Sequence, residues 1–133
     1  VALTQIINAG IGANNTVTGE GSATTSLQQG LAKAWVNFNG TGTIAARDSS
    51  NVGSLTDNGT GDYTVNFSNS MGNVNYCLSL HATANTNFNN FQSYAVEEGT
   101  AATSSIRVGT NPERQNARED VQFVHVGILG DLA

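Results

Sequence analysis

Apolar and polar positions along this chain alternate in short runs and do not form helical stripes. The two clearest runs are Ala34-Trp35-Val36-Asn37-Phe38-Asn39 and Tyr63-Thr64-Val65-Asn66-Phe67. Val36 and Phe38 recur every second residue in the first, as do Tyr63, Val65 and Phe67 in the second, with Asn or Thr between them. A period of two sends such sets to opposite faces of a strand, one packed and one wet. Trp35 is out of phase with Val36 and Phe38, which turns it towards a neighbouring subunit or a loop. Just before the second run, Asp57-Asn58-Gly59-Thr60-Gly61-Asp62 supplies the glycines that a tight turn with positive φ requires. The pattern predicts an antiparallel β protein whose fold or subunit contact is anchored by Trp35, Val36, Phe38, Tyr63, Val65 and Phe67.

Further strand runs follow at short intervals from Leu31 onward: 43–47 around Ile44, 52–56, 75–81, 92–96, 104–108 and 121–129. Val52 and Leu55 break strict alternation, the mark of a bulge or an edge. In 75–81, Tyr76, Leu78 and Leu80 share one face, and Cys77, Ser79 and His81 the other. Polar loops are expected over 82–90 and over 109–120, the latter holding Pro112, which is harmless outside a ladder. About eight strands and no long helix predict an all-β fold, an antiparallel β-sandwich of jelly-roll-like or related type over residues 31–133. Residues 1–30 read as an extended arm: an apolar patch (Leu3, Ile6, Ile7, Ile11) precedes a glycine-containing segment whose one charge is Glu20. Within the arm, 26–30 suits one helical turn stopped by Gly30.

Composition alters this picture mainly through charge. Only 11% of the 133 residues are charged, against roughly 25% in ordinary soluble domains, so Asn, Thr, Ser and Gly carry the surface. Such a surface is wetted by neutral hydrogen bonds and is little affected by salt. Five basic residues against ten acidic ones give a net charge of −5, and Arg107, Arg114 and Arg118 are interleaved with Glu113, Glu119 and Asp120. That arrangement argues against a nucleic-acid partner, which needs clustered cations. No apolar run approaches the roughly 20 residues of a membrane-spanning helix, so no membrane insertion is expected. No basic residue precedes Lys33 and no apolar h-region precedes it, so no Sec-type signal is read. Cys77 is the only cysteine, which excludes an intramolecular disulfide, and it reads as a small strand side chain.

Candidate chemistry is sparse. His81 and His125 are far apart in sequence, each inside a strand run, and they lack the paired spacing of a structural zinc site. The segment 57–62 has glycine where an EF-hand loop places its third and fifth oxygen ligands, and Ser68 stands where the bidentate Glu belongs. Glu97 and Glu98 are adjacent and would point to opposite faces of a strand, so they do not form a facing carboxylate pair. No Gly-x-Ser-x-Gly elbow or phosphate-loop lysine occurs. The sequons at Asn14, Asn39, Asn58 and Asn66 follow from the abundance of Asn and Thr. No catalytic residue, cofactor or metal is expected.

Two long motifs carry a resemblance. Lys33-Ala34-Trp35-Val36-Asn37-Phe38-Asn39-Gly40-Thr41-Gly42-Thr43 is the first, and Asp57-Asn58-Gly59-Thr60-Gly61-Asp62-Tyr63-Thr64-Val65-Asn66-Phe67 is the second. They resemble a signature of tailed-bacteriophage and prophage tail-fibre-like virion structural proteins, of the marine-phage type. The resemblance covers about residues 31–80, extends loosely to 121–129, and leaves out the arm and the two loops. It implies a β-rich, commonly trimeric module of a virion, assembled in the host bacterial cytoplasm, with no catalytic residues to carry over. Residues 1–30 would then dock on other virion proteins. A chain with no room for a shaft suits a short appendage: a head decoration or head fibre, or the knob at a fibre tip. Any contact with a host-surface glycan is expected in the loops. One group is Asn87, Phe88, Asn90, Phe91 and Tyr94, and the other is Asn111, Arg114, Gln115 and Arg118. Phe88 and Phe91 have an alternative use in packing against the sandwich or a neighbouring subunit. A stand-alone carbohydrate-binding β-sandwich is the competing binding class. A depolymerase is the competing enzyme class, and its β-helix with paired carboxylates has no counterpart in the sequence.

Overall fold

The computed structural model describes residues 16–18, 24–26, 30–83, 94–95, 101–111 and 118–133. The chain divides into two units, Val1–Leu31 and Ala32–Ala133. In the first, β1 (Thr16–Thr18) and β2 (Thr24–Ser26) pair antiparallel, with Val17 opposite Thr25. Two short paired strands thus lie within the segment read as an extended arm. Ser26 ends β2, and the rest of the expected helical turn at 27–29 lies outside the described residues.

The second unit contains β3 (Ala32–Asn39), β4 (Ala45–Ser50), β5 (Val52–Gly59), β6 (Asp62–Phe67), β7 (Cys77–Thr83), β8 (Tyr94–Ala95), β9 (Ser105–Gly109) and β10 (Phe123–Leu129). They form two antiparallel four-stranded sheets, ordered β4-β3-β10-β7 and β5-β6-β9-β8. The inward sets interlock as the core of a β-sandwich. The first sheet contributes Ala34, Val36, Phe38, Ala82, Val124, Val126 and Ile128, and the second contributes Tyr63, Val65, Ile106 and Val108. Phe38 and Tyr63 meet edge to face across the core, with ring centroids 5.2 Å apart and planes at 76°. One edge strand of each sheet buries little: β4 is mostly exposed, and so is β5, which carries register shifts at Val52/Ser54 and Asp57/Gly59. The irregularity expected at Val52 and Leu55 is therefore present, on an edge strand.

The chain passes from β4 in one sheet to β5 in the other through the single residue Asn51, which has φ 55°. Asparagine tolerates this left-handed conformation better than most residues. Its amide ties the corner down: Nδ2 donates to Lys33 O (2.9 Å) and Asn69 O (3.1 Å), and Oδ1 accepts from Asn69 N (2.7 Å). On the outer face of the second sheet, Asn66 Nδ2 donates to Ser54 Oγ (3.2 Å) and Thr56 Oγ1 (3.1 Å), and Asn58 Nδ2 donates to Thr64 Oγ1 (2.8 Å). The neutral polar surface read from composition thus holds edge strand β5 to β6. The expected loop over 82–90 begins later than predicted: Ala82 and Thr83 belong to β7 and are buried. They pair with Val124 and Phe123, so this end of β7 is covered by the sandwich.

Candidate functional site

At one end of the sandwich the two motifs lock together. The β5–β6 turn is made by Thr60 and Gly61, and Gly61 (φ 61°) has no space for a side chain. A Cβ there would stand 2.6 Å from Thr110 O and 2.7 Å from Glu119 N. Gly40 is equally tight, because a Cβ would lie 2.6 Å from the Tyr63 hydroxyl oxygen. That hydroxyl lies 2.9 Å from both Gly40 O and Asp120 Oδ1 and shares one proton between these acceptors. Burial raises the Tyr63 pKa well above the ordinary phenol value, and the Asp120 carboxylate pushes the same way, so Tyr63 remains a donor at neutral pH.

Next to it, Asp62 is buried in β6 and receives Arg107 of β9 bidentately, Nε to Oδ1 at 2.7 Å and Nη2 to Oδ2 at 2.5 Å. Arg118 Nη1 also bonds Asp62 Oδ2. The Arg107 hydrogen bond lowers the Asp62 pKa against the opposing effect of burial, and the Arg118 and Arg107 charges add to the lowering. An ionised carboxylate held by two guanidinium groups fastens the segment after β9 to β6; it is poorly placed to move protons. Of the residues expected to face a ligand, Arg118 is thus paired with Asp62, and Asn111 is partly buried. Asn111 Oδ1 is buried and finds no hydrogen-bond partner among the described residues. Tyr94 begins β8, and Asn87, Phe88, Asn90, Phe91, Arg114 and Gln115 lie outside the described residues.

The expected anchors divide by depth. Val36, Phe38, Tyr63 and Val65 are at most 2% exposed, and Phe67 is partly buried with its ring 6.1 Å from that of Tyr76. Trp35 points to the outer face of the first sheet and is 38% exposed, opposite Gly127 and Ser50. Leu129 is also exposed, two residues beyond Gly127 on the same strand, so the pleat puts it on the same face.

This outer face also carries a row of polar side chains. One row across the sheet reads His81 (β7), His125 (β10), Asn37 (β3) and Asp48 (β4), each residue opposite the next. The ladder between β3 and β4 shifts at Asn37/Phe38, leaving Arg47 as the extra residue of a bulge. Its guanidinium lies 4.3 Å from the Phe123 ring centroid and donates to Gln122 O (2.8 Å) and Asn37 Oδ1 (3.3 Å). The His81 and His125 rings are 6.1 Å apart between centroids, with planes at 83°. Burial pushes the His125 pKa below the ordinary histidine value, and the charges of His81 and Arg47 act in the same direction. At neutral pH His125 is therefore an uncharged imidazole. In the sequence the two histidines read as separate residues, because 43 residues of chain divide them. Their shared signal was phase: His81 and His125 both fall on the wet parity of strongly alternating strands. Pairing those strands would have placed the two together. Among the described residues no group of three or more His, Cys, Asp or Glu side chains is arranged to hold a metal. Comparisons with protein-family models, with curated proteins and with solved structures return no match for this chain.

Proposed function

We propose that the chain is a non-enzymatic structural protein of a bacteriophage particle, a short surface appendage such as a head decoration, a head fibre or a fibre-tip knob. In this reading it assembles as a homotrimer and docks on other virion proteins through residues 1–30. The observation that supports it is the use the fold makes of the two motifs on which the resemblance rests. They build one scaffold: Phe38 packs on Tyr63, Tyr63 bonds Gly40 O, and Gly61 fits against Thr110 and Glu119. A shared pattern that specifies packing fits a structural family with variable display loops. Trp35 and Leu129, exposed on one sheet face, offer apolar surface for a subunit contact.

The second reading, a stand-alone carbohydrate-binding module, draws on the same tryptophan. Trp35 borders side-chain-free Gly127, with Ser50 and Ser79 in the same row, a flat aromatic surface rimmed by hydroxyls. Deleting the gene from a producing phage separates the readings. The structural reading expects particles that lack the protein, lose resistance to heat or osmotic shock, or adsorb poorly. Particles of unchanged composition and behaviour, together with glycan binding by the isolated chain, overturn it in favour of the second.

A further inference from the structure

We propose that His81 and His125 form a two-histidine chelate for a divalent transition metal of the zinc, nickel or copper type on the outer face of the first sheet. The inference goes beyond the structural role and does not depend on it. Residues directly opposite on antiparallel strands have Cβ atoms about 4.5–5.5 Å apart, and His81 and His125 hold that relation in a ladder unbroken from Phe123↔Thr83 to Leu129↔Cys77. β10 lies between β3 and β7, so hydrogen bonds on both sides fix the backbone under His125. A metal bonded about 2.0–2.1 Å from one nitrogen of each ring places the two centroids ~5 Å apart at a tetrahedral angle, and ~6.3 Å apart only when the nitrogens lie opposite each other across the metal. The observed separation is 6.1 Å. Closing the rings from this separation to the tetrahedral one takes a change of side-chain torsion at His81, which is exposed and stands on β7 at the edge of the sheet.

Imidazole nitrogen selects zinc, nickel and copper over calcium and magnesium, which take oxygen ligands. Two protein donors leave positions for water, so the site is open and exchangeable, unlike a closed four-ligand structural zinc. Arg47 is the opposing feature, a cation close enough to influence His125. Its guanidinium is held on Gln122 O and over the Phe123 ring, and Asp48 lies in the same row with the opposite charge. Cys77 lies on the same strand face as His81, four residues away, and is exposed, so it must be separated from the pair experimentally.

The test is calorimetric titration of NiCl2 and ZnCl2 into the untagged full chain, with MgCl2 as the hard-cation control. The variants are His81→Gln, His125→Gln and Cys77→Ser. The expected result is one nickel or zinc site per chain, weakened at least about tenfold by either histidine substitution and kept in Cys77→Ser, with no magnesium binding. Wild-type protein that binds neither metal at millimolar concentration overturns the proposal, as does binding that survives both histidine substitutions or vanishes only with Cys77. Paramagnetic broadening by Ni2+ in the wild-type protein gives a readout that needs no variant. Selective loss of the His81 and His125 ring resonances supports the chelate, and loss of other resonances in their place refutes it.

Discussion

Replacing Phe38 by Ala removes the largest side chain that the first sheet contributes to the fully buried core. Phe38 is 0% exposed, and its ring packs edge to face on Tyr63, itself 0% exposed, so the deletion opens a cavity between two sheets that cannot easily collapse. Buried Phe→Ala changes cost about 3–5 kcal/mol, of which an aromatic pair accounts for about 0.5–1.5 kcal/mol. Domains of this size are stable by only about 5–15 kcal/mol, so the loss is a large fraction of the total. At about 4 °C per kcal/mol for a unit of roughly 100 residues, the melting temperature falls by ~12–20 °C. Phe67 is the internal comparison. It lies on the same strand face as Tyr63 but is only partly buried, with Tyr76 as its aromatic neighbour. Phe67→Ala is expected to cost about half as much. Thermal melts followed by near-UV circular dichroism, with urea midpoints at 25 °C, measure both. A Phe38→Ala protein that melts within a few degrees of wild type, or a Phe67→Ala protein that falls as far as Phe38→Ala, refutes this placement of the core.

Gly61→Ala forces a Cβ to within 2.8 Å of three backbone atoms at a positive φ, so it should lose more than ~2 kcal/mol in urea unfolding, and wild-type stability would contradict the close approach. The lowered Asp62 pKa gives stability that is present above the unfolded-state value of 3.8 and is lost as pH falls through the lower folded value. Asp62→Asn should therefore flatten the acid limb of urea midpoints measured from pH 7 to pH 2, and an unchanged limb would remove Asp62 from the acid response. Trp35→Ala should cost only about 1 kcal/mol of stability, and on the proposed trimeric reading it should shift sedimentation towards monomer; sedimentation unchanged from wild type would take Trp35 out of a subunit contact.

The scaffold was legible because alternation is a local signal. Val36, Phe38, Tyr63 and Val65 declare their face within their own strands, and β3 and β6 emerge close to the predicted bounds. The turn before β6 was legible for the same reason, since glycine marks positive φ. Less legible were features set by partners distant in the chain. Arg118 reads as a loop cation until the fold brings it to Asp62, 56 residues away. Gly40 reads as turn punctuation, and its second role appears only when the Tyr63 hydroxyl is placed against it. The hairpin of β1 and β2 was missed because Thr-rich three-residue strands leave hardly any hydrophobic period to count. Of the expected loop contacts, the described residues locate only Tyr94, Asn111 and Arg118.

The most direct measurement is electron microscopy of purified phage particles carrying a gold label on the C-terminus of this chain. Label recurring at fixed, symmetry-related positions on the head surface or at the tip of a fibre is the result expected of a short structural appendage. Particles that carry no label while the labelled chain remains folded in the lysate would contradict a place in the virion.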